Sequence, residues 1–218
     1  MDIKIKAAHG TNYNLGRTGD TIQYIVIHYT GSSSQNGDTA VGNATYFSSP
    51  NREASAHYFV DEKEIYQTVK DGDTAWSVGG KAYTQKHPIC RNKNSISIEL
   101  CSGLKNGTRY IKQGAIPIAT ELVVHLMLKY NIPIENVLRH FDVVSKICPE
   151  PFVRDETAWV NFLKGVQKYM DELNNRPSDW AKEAWEYGVK FGIIADDNPR
   201  NPVTKEQVMT MIYKTVKA

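Results

Sequence analysis

Thr21-Ile22-Gln23-Tyr24-Ile25-Val26-Ile27-His28 is rich in β-branched and aromatic residues and becomes apolar on both faces toward its end. That composition suits a central strand covered on both sides. Open α/β sheets place their sites at the carboxyl ends of such strands, and His28 stands at that end. Outward from it, residues 57–61, 64–69 and 96–101 read as further strands, and 40–47 as a short helix. Pro117 can open a helix that runs to Tyr130, with Leu122 and Leu126 at helical spacing, and Asn131 followed by Pro133 is a stop signal. From 157 to 173, Trp159, Phe162, Leu163, Val166, Tyr169, Met170 and Leu173 recur at helical spacing, which predicts an amphipathic helix packed on the first domain. The alternation of strands and helices places this part of the chain in the α/β class.

A chain of 218 residues has room for one full core and a small appendage. The net charge of +2 gives no support to nucleic-acid binding. The N-terminal Met1-Asp2-Ile3-Lys4-Ile5-Lys6 lacks the apolar core of a signal peptide, and no run reaches the roughly eighteen apolar residues of a membrane span. The expectation is synthesis in the cytoplasm without membrane insertion. Three cysteines cannot all pair within the chain, so Cys90, Cys101 and Cys148 are not a disulfide framework.

Four separated blocks carry groups suited to metal chemistry: Ile25-Val26-Ile27-His28, Ser55-Ala56-His57-Tyr58-Phe59, Ser95-Ile96-Ser97-Ile98-Glu99-Leu100, and the segment from Arg139-His140 to Lys146-Ile147-Cys148-Pro149. Imidazole and thiolate both suit zinc, and three protein ligands with an open fourth position mark a catalytic rather than a structural zinc. Taken singly, each residue has a plainer reading. His28 reads as a packed strand residue, Cys148 as a buried thiol, Lys146 as a solvated loop lysine, and Glu99 as a partner of a cation such as Arg139. An inner strand would bury Glu99, and carboxylates are rarely buried unless paired or functional. Near a metal, such a group is a candidate general base.

Taken together, these blocks resemble the amidase-2 family of zinc-dependent N-acetylmuramoyl-L-alanine amidases, which is related to T7 lysozyme and the peptidoglycan recognition proteins. The matching motifs run from about Gln23 to Phe152 and include Asp73-Thr74-Ala75-Trp76 and Arg139-His140-Phe141-Asp142. The resemblance implies a central mixed β-sheet flanked by helices, zinc held by His28, His140 and Cys148, Glu99 as catalytic glutamate and Lys146 as catalytic lysine. It also offers His57 as a further catalytic group, in a slot that the T7-like branch fills with tyrosine. Ser77 departs from the histidine that many family members carry after the Ala-Trp pair, and Trp76 reads as either a groove residue or a core residue. His87 and His125 match no family motif.

The implied substrate is peptidoglycan, cut at the amide between N-acetylmuramic acid and L-alanine of the stem peptide. The implied setting is a phage or prophage endolysin that acts on a Gram-positive wall after release. A bacterial autolysin and a non-catalytic peptidoglycan-recognition protein are the alternatives.

The expected division is a catalytic domain at 1–173, a linker at 174–178 (Asn-Asn-Arg-Pro-Ser) and a helix–loop–helix module at 179–218. The module contains a helix near 179–191, a turn-rich loop at 196–202, a capping box at Thr204-Lys205-Glu206-Gln207 and an apolar stripe of Val208, Met211, Ile212 and Val216. It resembles one S-layer-homology repeat, which implies a secondary cell-wall polymer as ligand. At this size the module is marginal alone, so docking or self-association is the other expectation.

Overall fold

The computed structural model describes residues 1–79, 83–194, 199 and 203–217. It divides into two compact units, Met1–Val166 and Gln167–Ala218.

In chain order the strands and helices of the first unit are β1 (Ile3–Ile5), β2 (Tyr13–Asn14), β3 (Tyr24–Tyr29), α1 (Ala40–Phe47), β4 (Tyr58–Val60), β5 (Ile65–Gln67), β6 (Thr74–Ala75), β7 (Ser95–Leu100), β8 (Ser102–Lys105), β9 (Thr108–Ile111), α2 (Ala115–Tyr130), β10 (Val137–Arg139), α3 (His140–Val144), α4 (Glu150–Arg154) and α5 (Glu156–Asn174), whose last turns pass into the second unit. Six strands form one sheet in the order β1-β5-β4-β7-β3-β10. All its neighbours run parallel except the β4–β5 pair, so the sheet is mixed, as expected. Two small antiparallel pairs, β2–β6 and β8–β9, stand beside it.

The centre of the sheet explains the apolar run that begins at Tyr24. Ile25, Val26 and Ile27 are completely buried, as are Ile96, Ile98 and Leu100 of the adjacent β7. β3 lies between β7 and β10 with both edges paired and both faces covered, so it cannot alternate polar and apolar residues. α2 packs on β3, β4 and β7 through a face that includes Leu122, Val123 and Leu126. This helix starts at Ala115, two residues before the proline expected to open it. Pro117 therefore occupies the first turn, where its missing N–H costs no intrahelical bond. Asn131 ends the helix in the left-handed conformation at φ 53°, as its sequence position suggests. In α5, Trp159, Phe162 and Val166 are buried, and Phe152 of α4 packs against the rings of Trp159 and Phe162.

Asp71 holds together parts of the fold that are far apart in sequence. Its carboxylate accepts hydrogen bonds from Tyr58 Oη (2.6 Å), Gln67 Nε2 (3.0 Å), Tyr130 Oη (2.6 Å) and Lys129 Nζ (2.9 Å), while its carbonyl accepts from Arg17 Nε (2.6 Å). Burial alone would raise its pKa, but Tyr130, Tyr58 and Lys129 together hold it below the ordinary 3.8. Replacing Asp71 with Ala leaves these donors facing a low-dielectric interior, and the expected loss is about 2–4 kcal/mol by urea unfolding. Because the folded pKa is depressed, the contribution is complete above 3.8 and is lost as pH falls through the lower folded value. The stability gap between wild type and Asp71→Ala should therefore narrow in acid; a gap independent of pH would contradict the ionised role.

The second unit contains the end of α5, then α6 (Lys182–Lys190) and α7 (Lys205–Lys217). The capping box forms: Thr204 N–H donates to Gln207 Oε1 (2.7 Å) and Gln207 N–H to Thr204 Oγ1 (3.2 Å). Residues 196–198 and 200–202 of the expected loop lie outside the described residues. Val208, Ile212 and Val216 of the α7 stripe stay exposed, and Trp180 is 89% exposed. No described helix is long and apolar enough to cross a membrane.

Candidate metal centre

Strand register brings the site together. His28 and Glu99 are direct partners on β3 and β7, and Arg139 on β10 is level with Ile27, so His140 emerges beside His28. The His28 and His140 ring centroids are 4.5 Å apart. After α3 the chain reverses at Ser145, whose φ is 63° in the left-handed region. Lys146 and Cys148 follow, and Phe141 N–H donates to the Cys148 carbonyl at 2.9 Å, closing the turn. Cys148 Sγ then lies 3.8 Å from His28 Nδ1. The potential ligand atoms of His28, His140 and Cys148 all fall within 4.8 Å of one another, and all three residues are buried.

The polar atoms at this point lack protein partners. Among the described residues, buried side-chain nitrogens and oxygens without a hydrogen bond are His28 Nε2, both ring nitrogens of His140, Glu99 Oε2 and Ser77 Oγ. Three of these five atoms belong to the cluster, and a fourth, Glu99 Oε2, belongs to the carboxylate beside it. Buried polar groups are nearly always paired, so such a concentration calls for a missing partner. Two neutral imidazoles and a sulfur whose donor atoms lie within 4.8 Å of one another are a donor set that suits a zinc-type cation.

Burial sets the protonation states. It pushes the His28 imidazole well below its usual range, helped by His140 and Lys146, and lowers His140 to about 4, with Lys146 acting the same way. Both rings are thus neutral at physiological pH and free to ligate. Burial pushes the Cys148 thiol up to about 12. A coordinated cation reverses that preference, because a ligating thiol is deprotonated outright.

Glu99 Oε1 is 3.9 Å from His28 Nδ1, and its carboxyl is raised to about 7 by burial, with Lys146 pulling it back. The cation suggested as its alternative partner is committed elsewhere, since Arg139 pairs with Asp142 (3.0 Å) and Glu156 (2.6 Å). Lys146 lines a groove together with His140, Trp76, Ser77, Gly79, Asn92 and Glu53, which places Trp76 at the groove.

His57 is completely buried one step along the sheet, with both ring nitrogens engaged. Nδ1 lies 3.0 Å from Ser97 Oγ, and Nε2 lies 3.0 Å from Arg17 Nη2. Ser97 N–H donates to Nδ1 at 3.0 Å, and Nε2 also lies 3.3 Å from the Asp73 carbonyl, so each ring nitrogen has two polar neighbours. Burial, reinforced by Arg17, lowers the His57 pKa to about 3. Arg17 itself bonds to the carbonyls of Asp71, Lys93 and Ser95, a role with no local sequence signal. His87 accepts from Cys90 N–H and packs edge-on against Tyr24, away from the cluster.

The family model for N-acetylmuramoyl-L-alanine amidase matches residues 18–151, a span that contains His28, His57, Glu99, His140, Lys146 and Cys148. The chain belongs to the amidase-2 family. This amidase-family chain is 33% identical over 156 residues to the N-acetylmuramoyl-L-alanine amidase CwlL of Bacillus licheniformis, covering 68% of its own length but 42% of that relative's. It is 23% identical over 208 residues to the amidase CwlA of Bacillus subtilis (strain 168), covering 90% of its own length and 71% of the relative's. Among solved structures, the catalytic domain of XlyA superposes with a TM-score of 0.61 at 28% identity, over 76% of this chain and 99% of that one. A mutant endolysin from Bacillus subtilis superposes with a TM-score of 0.60 at 28% identity, again over 76% and 99%. The matched span 18–151 falls within the first unit.

Proposed function

We propose that this chain is a zinc-dependent peptidoglycan hydrolase that cleaves the amide between N-acetylmuramic acid and L-alanine of the stem peptide. The observation that carries the proposal is the set of unpartnered buried ligand atoms on His28 and His140, converging with Cys148 beside an unpaired Glu99. His28, His140 and Cys148 would hold the metal. Zinc bound there supplies Lewis acidity, acidifying water and polarising a carbonyl.

Glu99 accepts the proton of the attacking water and passes it to the leaving amine; a carboxyl poised near neutrality can do both. Lys146 contributes fixed positive charge to the developing oxyanion at the groove. His57 could reach that oxyanion only by giving up Arg17, so its proposed contribution is to hold Ser97, two residues before Glu99, in place.

Residues 1–173 form the proposed catalytic domain, joined by 174–178 to a module at 179–218. The exposed Trp180 and the exposed stripe of α7 favour binding of a secondary wall polymer or self-association for that module. The proposed setting is a phage or prophage endolysin that reaches the wall of a Gram-positive host after release.

Product analysis tests the reaction. Incubation with Gram-positive cell walls should release new L-alanine amino groups and no new reducing sugars. New reducing sugars would make the protein a glycosidase and remove the proposed role of Glu99 and the ligand set.

A further inference from the structure

The two chain segments that supply His28 and Cys148 are 120 residues apart in sequence, and a charged cluster behind the site ties them together. Glu150 is its hub. Its Oε2 accepts a hydrogen bond from Tyr29 Oη at 3.2 Å and lies 3.5 Å from Arg109 Nε, while its Oε1 accepts from Arg154 Nε at 2.7 Å. Tyr29 is the residue after His28, and Glu150 is the second residue after Cys148. Arg109 comes from the β8–β9 hairpin and also donates through Nη1 to the carbonyls of Gly31 (2.5 Å) and Ser32 (2.9 Å), just beyond β3. One carboxylate thus gathers the end of β3, the hairpin and the start of α4. Tyr29 acts at both ends of this link, because its main-chain N–H also faces the Cys148 sulfur.

We infer that Glu150, paired with Arg109, is a positioning residue that clamps the Cys148 turn against the end of β3 and thereby sets the affinity of the His28–His140–Cys148 site for its cation. This rests on the metal reading proposed above. The physical reason is preorganisation. Without the clamp, the Cys148 turn keeps its bond to Phe141 N–H but loses the side-chain tie between Glu150 and Tyr29 at the end of β3, and the cation must then supply part of the ordering. Groups that orient ligands from behind typically contribute about 10–100-fold to metal affinity. Glu150 and Arg109 are only 24% and 26% exposed, so their pairing is partly shielded from solvent. Neither residue lies in the groove that holds His140 and Lys146.

The test uses the full-length chain and zinc alone, titrated against a competing chelator. Glu150→Ala should weaken zinc binding by about 10–100-fold. Arg109→Met should weaken it in the same direction, and the double variant by no more than the stronger single change, since the two act as one unit. Glu150→Gln keeps an acceptor for Tyr29 but loses the charge pairing, and should fall between wild type and Glu150→Ala. In the cobalt-loaded protein, the thiolate-to-metal absorption should shift in Glu150→Ala, a signature that a purely structural role would not move. If wild type binds zinc and all three single variants bind it equally, the clamp is overturned and the metal reading stands. If wild type binds no zinc, both fall together.

Discussion

Glu99→Ala should abolish most turnover while leaving the metal in place. Glu99 Oε2 has no protein partner, and the distance of 3.9 Å between Glu99 Oε1 and His28 Nδ1 places it beside the ligands rather than among them. A general base and acid in this position is worth roughly 10²–10⁴-fold in rate. The expected result is a drop of that size in amide cleavage, with zinc content and zinc affinity unchanged. Removing a half-buried carboxylate whose Oε2 has no hydrogen-bond partner also relieves a desolvation cost, so the thermal midpoint of Glu99→Ala should equal or exceed that of wild type. Full activity in this variant would end the general-base assignment. Loss of zinc together with activity would make Glu99 a ligand and change the chemistry proposed for it.

The second large effect is expected at Cys148. Its sulfur is the single soft donor of the set and the only ligand on the turn that follows α3. Cys148→Ser replaces it with a hydroxyl that deprotonates far less readily and suits zinc poorly. Zinc affinity should fall by more than the roughly 10–100-fold that changes behind the ligands produce. Amide cleavage should fall in parallel and recover partly when zinc is raised. With both proteins metal-free, the variant should unfold at or slightly below the wild-type midpoint, because a buried hydroxyl costs more to desolvate than a neutral thiol. A Cys148→Ser protein that binds zinc as tightly as wild type would remove Cys148 from the ligand set.

Much of this site could be read from single segments because each ligand ends or follows a regular element. The run from Tyr24 to Ile27 is too apolar for anything but a doubly covered strand, and His28 at its end is then at the functional edge of the sheet. The same logic places Glu99 on β7, whereas the short strand Val137–Arg139 that leads into His140 was not read from the sequence. What no segment reveals is which distant group stands behind a ligand. Arg17 and Asp71 bond mainly to residues remote in sequence, and neither lies in a patterned stretch. The strand that His57 leads into was legible, but the guanidinium 3.0 Å from its Nε2 was not.

The β8–β9 hairpin did have a local signal. Asn106-Gly107 joins two short runs, and both residues take positive φ (51° and 77°), the geometry that favours Asn-Gly in a two-residue hairpin turn. Reading that turn would have placed Arg109 on a hairpin. Its reach to Glu150 comes from tertiary packing. The start of α2 differed for a related reason. Proline is tolerated throughout a first turn, so Pro117 marks the beginning of the helix only to within a few residues.

The most direct measurement is to strip the protein with a chelator, return zinc in small increments, and follow the release of L-alanine amino groups from cell walls at each step. If His28, His140 and Cys148 form a catalytic zinc site, the stripped protein is inactive and activity rises linearly to a plateau at about one zinc per chain. A stripped protein that retains full activity, or one whose activity shows no dependence on added zinc, would contradict it.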